Sequence, residues 1–167
     1  GQELRGPVKL GCFSSFAMSV VPELLEGFPK RHPGIQIEIV VGTNEELLSA
    51  LEAGRLDVAL VYDVSLPLGY SRRNIYPTQL EVHLHPEHPL AAKHALDLPD
   101  LADEPYIQYD ATPGILNIAE AFTARGLEPK VEARVSQMSL VEAIVARGVG
   151  YGLPMSRPNA FPVSTEG

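Results

Sequence analysis

The sequence predicts an α/β fold built on parallel strands, because one order of elements occurs twice along the chain. An apolar-periodic helix over residues 139–147 ends at Gly148, and a short apolar strand follows and stops at Pro154. Earlier, a helix ends at Gly54 and the buried strand 56–62 follows. Helix, glycine, strand and turn form the unit of an open α/β sheet, whose ligand sites lie at the carboxyl ends of the strands. We therefore expect candidate sites in the turns that follow the strands.

The first helix and its two flanking strands are predicted from side-chain spacing. Residues 8–13 alternate apolar and small side chains, which predicts a strand. Helical spacing of apolar residues predicts a helix over 16–31, and we expect Pro22 to divide it into a short first turn and a main helix. In the next strand, 35–41, isoleucine and valine alternate with Gln and Glu. This alternation is typical of a half-exposed or edge strand.

A second helix and a third strand complete the first half of the chain. Thr43 and Glu46 have the spacing of a capping box at the start of a helix that runs to Gly54. The strand 56–62 then follows. Two β–α units and a third strand predict a parallel sheet, since such crossovers are right-handed and return the chain to the same sheet.

The second half begins after residues 63–78, where prolines and a glycine interrupt the alternation of strands and helices. We interpret this segment as a crossover into a second lobe. The expected elements are a strand over 79–84, a turn over 85–89, a short helix over 98–102, a strand over 106–109, a helix over 113–125, a strand over 130–135 and a helix capped by Ser136. The tail 156–167 predicts no element before Val163–Thr165.

Composition and charge narrow the class of protein. The 167 residues allow one large domain or two small lobes, and they contain no apolar run long enough to span a membrane. With 13 Lys and Arg against 21 Asp and Glu, a net charge of −8, the chain is a poor binder of a phosphate backbone. The single Cys12 rules out an internal disulfide, is compatible with a reducing cytosol, and is interpreted as a small buried strand residue.

Five short segments occur in order over essentially the whole chain. Each alone is a weak signal of a protein family, but together they are specific. They are Arg5-Gly6-Pro7-Val8-Lys9-Leu10-Gly11, Val21-Pro22-Glu23-Leu24-Leu25 with Phe28 and His32-Pro33-Gly34, Leu51-Glu52-Ala53-Gly54-Arg55-Leu56-Asp57-Val58-Ala59-Leu60, His88-Pro89-Leu90-Ala91 and Val145-Ala146-Arg147-Gly148-Val149-Gly150. The set resembles the effector-binding region of LysR-type transcriptional regulators.

The resemblance implies two Rossmann-like lobes, similar to type II periplasmic binding proteins. Lobe I would comprise 1–63 and a returning segment from near 155–167, and lobe II would comprise 64–154. It also implies a cytoplasmic regulator that forms homodimers or homotetramers and binds DNA through an N-terminal winged helix-turn-helix, which this sequence lacks. Dimers would be antiparallel, with helix 22–30 and strand 35–41 facing the second lobe of a partner. The chain ends before the family's usual last strand and helix, so we expect an incomplete C-terminus.

Five turns are candidate effector-binding positions, and four of them lie at helix N-termini, which attract anions. Ser14, Ser15 and Phe16 lie between the first strand and its helix, where the serines offer hydroxyl groups. The alternative is simple N-capping, and resemblance favours ligand contact. The other expected contacts are Thr43 and Asn44, where helix capping is the alternative; Tyr62 and Asp63 at the exit from lobe I, where a turn is the alternative; and Thr112, Gln137 and Met138 at helix starts in lobe II.

The expected ligand is a small anionic or polar molecule, because several helix N-termini converging on a cleft between the lobes create a positive potential. An aromatic ligand stays open, given Phe16, Tyr62 and Met138. We expect no metal or cofactor. A closed metal site needs three or four convergent ligands. We therefore interpret the four neighbouring histidines as solvated turn residues: His83, His85, His88 and His94.

The sequence therefore predicts a ligand-sensing module of a transcriptional regulator, and two other classes stay open. A solute-binding protein of a transporter shares the two-lobed fold. An enzyme on the same scaffold would need a nucleophile paired with a base, and no such pair is recognisable. The identity of the effector does not follow from fold-level analogy.

Overall fold

The computed structural model describes residues 5–63, 66–75, 78–112 and 114–156. The chain divides into two compact units, Gly1–Val64 (unit 1) and Ser65–Gly167 (unit 2). The expected return of the chain to lobe I after residue 155 stays a prediction. Residues 163–165, where the tail was expected to form an element, lie outside the described residues.

Unit 1 is a parallel sheet with alternating helices, as predicted. Its elements are β1 Gly6–Phe13, α1 Ser14–Arg31, β2 Ile35–Gly42, α2 Asn44–Glu52 and β3 Val58–Leu60. Within the described residues the strand order is β2-β1-β3, and both pairings are parallel. Phe13 lies opposite Gly42 and Cys12 opposite Leu60, so the three strands end at the same edge of the sheet.

Helix α1 is continuous, so the prediction that Pro22 divides it was wrong. Pro22 and Pro29 both lie inside its 18 residues. A proline removes the hydrogen bond to the carbonyl four residues earlier, which for Pro22 is that of Met18. Met18 is 79% exposed and Pro22 is exposed too, so water can hydrate that carbonyl. The break therefore costs less here than it would in a buried helix.

The glycine stops in the sequence are confirmed at Gly54 and Gly148. Their φ angles are +74° and +76°, and each lies just after the C-cap residue of a helix. L-residues with a side chain rarely adopt this left-handed conformation, whereas glycine adopts it at little cost. These two residues therefore end the helices and direct the chain into the next segment.

The described residues of unit 2 form two short pairs of strands. Its elements are β4 Gln79–Leu80, 3₁₀ helices Pro89–Ala92 and Leu98–Leu101, β5 Pro105–Tyr109, α3 Gly114–Ala124, β6 Lys130–Val135, α4 Met138–Ala146 and β7 Met155–Ser156. β5 and β6 are parallel, and β4 and β7 are antiparallel. Ser136 does not cap α4, because the N-cap position belongs to Gln137.

The segment predicted as a strand before Pro154 makes only isolated bridges. The Tyr151 N–H donates to the Pro105 carbonyl at 2.9 Å, and the Gly152 N–H donates to the His83 carbonyl at 3.0 Å. The predicted strand 79–84 likewise reduces to β4 and the His83 bridge. The segment still lies between its two neighbours as a strand would, and its Tyr151 belongs to the core of unit 2.

Gly150 is required by this close pairing, and Gly150→Ala is expected to destabilise the protein by about 3 kcal/mol. A Cβ atom at this position would lie 2.5 Å from the Pro105 carbonyl oxygen, which accepts the Tyr151 hydrogen bond. Backbone would have to move. Urea unfolding measures the change, with Gly114→Ala as the control because a Cβ there meets nothing within 4 Å. Equal unfolding free energies for the two variants would contradict this account of the packing.

Candidate functional site

The turn after β1 is formed by the first residues of α1. The helix begins at Ser14, and its N-cap is Phe13, which makes no side-chain cap hydrogen bond. The serines therefore occupy the first turn rather than the N-cap, which corrects the simple capping interpretation. Amide N–H groups in the first turn of a helix have no carbonyl partner four residues earlier in that helix. Ser14, Ser15 and Phe16 are each half-buried.

Ser15 is joined to Tyr62, which follows β3. The Ser15 Oγ and the Tyr62 hydroxyl oxygen are 3.0 Å apart and hydrogen-bonded. The Tyr62 ring makes edge-to-face contacts with Phe13 and Phe16, at centroid distances of 5.0 and 5.1 Å. Phe13 and Phe16 stack at 5.9 Å. These preferred aromatic geometries hold the start of α1 against the end of β3.

Asn44 fixes the backbone of Tyr62 from the other side. Its Nδ2 donates to the Tyr62 carbonyl at 3.1 Å, and its Oδ1 accepts from the Tyr62 N–H at 3.3 Å. Asn44 is only 7% exposed, so this amide replaces the backbone partners that a longer strand would supply. The neighbouring capping box is confirmed, since Thr43 Oγ1 accepts from the Glu46 N–H at 3.1 Å. Thr43 therefore orders the helix start, and Asn44 orders the strand end.

The electrostatic field differs between the two helix starts. The first turn of α1 contains no acidic residue, whereas the first turn of α2 contains Glu45 and Glu46. Both helices present the positive end of their dipole at this edge of the sheet. Because the two glutamates oppose that field at α2, the α1 turn is the better position for an anion.

The other predicted site residues have the following positions and exposures. Asp63 is exposed, one residue after Tyr62. In unit 2, Thr112 is exposed beyond the end of β5, Gln137 is exposed at the N-cap of α4, and Met138 is 7% exposed. Their contact with an effector stays a prediction.

His88 has a more specific environment than a solvated turn provides. Its Nδ1 accepts from the Leu90 N–H at 3.0 Å, and its Nε2 lies 2.9 Å from Glu104 Oε2. Among the described residues, no group of three His, Cys, Asp or Glu side chains is arranged to hold a metal ion. Cys12 is fully buried, as predicted, and burial raises the pKa of its thiol to about 11, so the thiol is protonated at neutral pH.

Two features of the unit 1 site were not predicted from the sequence. Phe13 was treated as a strand residue, although it links both other rings of the cluster. The double hydrogen bond from Asn44 to Tyr62 spans 18 residues. The only local signal of these contacts in the sequence was that the residues lie at or just after the ends of strands.

The fold and the strand-end turns define a class, an α/β domain that binds a small ligand. The chain belongs to the family described as the LysR substrate binding domain, whose sequence model matches residues 1–156. The match confirms the predicted function, an effector-binding regulatory domain of the LysR type. It does not favour the alternative of a transporter's solute-binding protein.

Individual relatives agree with the family. The chain is 29% identical over 150 residues to the Transcriptional activator protein LysR of Escherichia coli (strain K12), covering 89% of this chain and 48% of that protein. The chain thus spans about half the length of the curated relatives it matches.

Solved structures agree on the fold. The C-terminal domain of a probable LysR family regulator from Rhodococcus sp. RHA1 is 31% identical, with a TM-score of 0.84 over 93% of this chain and 77% of that one. The BenM effector binding domain with its effector benzoate is 25% identical, with a TM-score of 0.72 over 89% of this chain and 69% of that one. The predicted two-lobed fold class is therefore confirmed. Among the described residues, no helix is long and apolar enough to cross a membrane.

Proposed function

We propose that the effector binds at the carboxyl edge of the unit 1 sheet, against the first turn of α1. The observation that carries the proposal is the combination of a helix start without acidic side chains and the hydrogen-bonded Ser15–Tyr62 pair beside it. Helix N–H groups and hydroxyls recognise an anion, and the aromatic side chains supply an apolar wall. Thr43 and Asn44 begin the neighbouring helix and shape the same edge.

The effector class that fits these groups is a small carboxylate, with aromatic acids as the leading candidates. A carboxylate accepts hydrogen bonds from N–H groups of the α1 turn, and a ring packs edge-to-face against Phe16 or Tyr62. The related BenM domain holds benzoate as its effector, a molecule with both parts. Asp63 at the exit of unit 1 and the turns of unit 2 with Thr112, Gln137 and Met138 would supply further contacts.

The domain acts by binding rather than by catalysis. Its relatives are transcriptional regulators, and no nucleophile paired with a base is recognisable in the sequence. Effector binding would shift the equilibrium between two states of a cytoplasmic homodimer or homotetramer, provided the two states differ in affinity. DNA would be bound through a winged helix-turn-helix domain of the whole regulator. The acidic charge of this chain supports DNA binding by a separate domain, since a net charge of −8 disfavours contacts with DNA phosphates.

Thermal unfolding against a panel of small acids tests the binding proposal. A compound that binds only the folded state adds about 2.7 kcal/mol of stability at one hundred times its Kd, which raises the Tm by roughly 5–10 °C for a protein of this size. The panel contains benzoate, aliphatic carboxylates and the uncharged amides of the same acids. We expect carboxylates to raise the Tm and their amides to have little effect. A rise for the amides alone would contradict the anion site.

Exposed apolar residues on α1 and β2 support side-by-side dimers. They are Leu25, Val40 and Val41, which are 41%, 41% and 52% exposed, and Val40 and Val41 lie on opposite faces of the sheet because they are neighbours in one strand. We expect Val41→Glu to weaken self-association at least tenfold, because a charge would be buried at the interface. Val58→Glu is the control, since Val58 is 48% exposed on β3 of the same sheet. Sedimentation equilibrium measures both, and equal self-association of the two variants would contradict this interface.

A further inference from the structure

Residues 66–75, which we call the connecting segment, lie between β3 and β4 and contain no helix or strand. Within the segment only Leu66 and Tyr70 are half-buried, and the other eight residues are exposed. Leu68 is 93% exposed and Ile75 is 61% exposed, although both are large apolar side chains. The connecting segment is therefore accessible to another macromolecule along almost its whole length.

The connecting segment contains Arg72 and Arg73, the only two consecutive arginines in the sequence. Both are exposed. A carboxylate recognises a guanidinium through paired hydrogen bonds, and arginine-specific proteases place such a carboxylate in the pocket for the residue before the cut bond. The peptide bonds that follow Arg72 and Arg73 therefore match the chemistry of an arginine-specific endopeptidase.

Local structure decides which Lys or Arg is cut first, because a protease binds its substrate as an extended segment. A bond inside a helix or strand becomes available only after local unfolding, whereas exposed loops are the preferred sites of cleavage. Six of the other described Lys and Arg residues lie within a helix or strand or directly before one: Arg5, Lys9, Lys30, Arg31, Lys130 and Arg134.

Four further Lys and Arg residues each follow a helix and donate their N–H to a carbonyl of that helix. The N···O distances are 2.8, 3.2, 3.1 and 3.1 Å, respectively, for Arg55, Lys93, Arg125 and Arg147. These hydrogen bonds have to break before the chain can become extended. Among the described Lys and Arg residues, only Arg72 and Arg73 lie in ten consecutive residues without a helix or strand.

We propose that the connecting segment is a cleavage site for arginine-specific endopeptidases, which cut on the carboxyl side of Arg72 or Arg73. Water hydrolyses the peptide bond: the arginine carbonyl carbon gains a hydroxyl, the C–N bond breaks, and the next residue leaves as an amine with the proton.

The position of the cut preserves the secondary structure of both fragments. β3 ends at Leu60 and β4 begins at Gln79, so every helix and strand stays whole. All of unit 1 lies on one fragment, and the helices and strands of unit 2 lie on the other. Cleavage would therefore break the covalent link between the unit that holds the proposed effector turn and unit 2. The cleavage site itself does not depend on the proposed function.

Limited digestion of the folded chain with trypsin, followed by mass spectrometry, tests the proposal. We expect the first cut within residues 6–156 to follow Arg72 or Arg73, at a rate at least about tenfold higher than that of the next cut. A first cut at any other Lys or Arg in this range would overturn the proposal.

Two double variants separate recognition of the arginines from access to the segment. Arg72→Gln with Arg73→Gln is expected to slow the first trypsin cut in this range at least about tenfold. The matched control is Arg125→Gln with Arg147→Gln, which removes two arginines at helix ends and is expected to change the rate less than about twofold.

Thermolysin measures access alone, because it cuts before large apolar residues such as Ile75. We expect it to cut the connecting segment equally fast in both double variants. Trypsin cleavage of the Arg72→Gln, Arg73→Gln protein at the parent rate would overturn the proposal, and so would resistance of the connecting segment to thermolysin.

Discussion

Tryptophan in place of Ser15 is expected to abolish effector binding, raising the Kd at least about 100-fold, while the domain stays folded. Ser15 is half-buried in the first turn of α1, and its hydroxyl is bonded to that of Tyr62 at 3.0 Å. The indole would occupy the space where a carboxylate approaches the helix N–H groups and would also remove the serine hydroxyl. The acid that gives the largest rise in Tm serves as the titrant in isothermal titration calorimetry.

Two control variants separate this effect from damage to the helix. Ser19→Trp introduces the same side chain one turn later, at an exposed position, and is expected to leave the Kd within about twofold. Ser15→Ala removes only the hydroxyl and is expected to weaken binding about tenfold, the loss of one hydrogen bond. A folded Ser15→Trp protein with the parent Kd would remove this turn from the effector site.

Replacing Asn44 with alanine is expected to cost about 2–4 kcal/mol of unfolding free energy, the largest loss among single polar substitutions in unit 1. The amide donates to the Tyr62 carbonyl and accepts from the Tyr62 N–H, at 3.1 and 3.3 Å. Alanine withdraws both bonds from backbone groups of a buried residue, and each carries its own desolvation cost. The Tm is expected to fall by about 5–15 °C.

Thr43→Ala is the matched comparison for Asn44, because it removes the adjacent capping hydrogen bond and nothing buried. Loss of such a cap costs about 1 kcal/mol. Urea unfolding of both variants gives the two free energies. If Asn44→Ala costs no more than Thr43→Ala, the amide bridge to Tyr62 does not hold the strand end.

The sequence predicted the order of elements in unit 1 because its signals are local. Alternation along β1 and β2, the capping box at Thr43 and the stop at Gly54 each occupy a few consecutive residues. One error there concerned Pro22, whose effect depends on whether the affected carbonyl faces water. That exposure is a tertiary property, and no local pattern reports it.

The candidate site was predicted only as a set of turns. Ser15 and Tyr62 are 47 residues apart, and their hydrogen bond requires the register of β1 against β3. The same register places Phe13 in contact with the other two rings of the cluster. In unit 2, the strand expected before Pro154 reduced to two bridges, and Gly150 packs on Pro105 too closely for any side chain. Such contacts follow from packing between elements, which periodicity does not encode.

An NMR titration of the ¹⁵N-labelled chain tests the central claim, that the effector binds at the carboxyl edge of the unit 1 sheet. The ligand is the acid that raises the Tm most. We expect the largest amide shift changes in the first turns of α1 and α2, at Ser15, Phe16 and Asn44, and loss of these changes in Ser15→Trp. Saturable shift changes confined to unit 2, with the α1 turn unaffected, would contradict the claim.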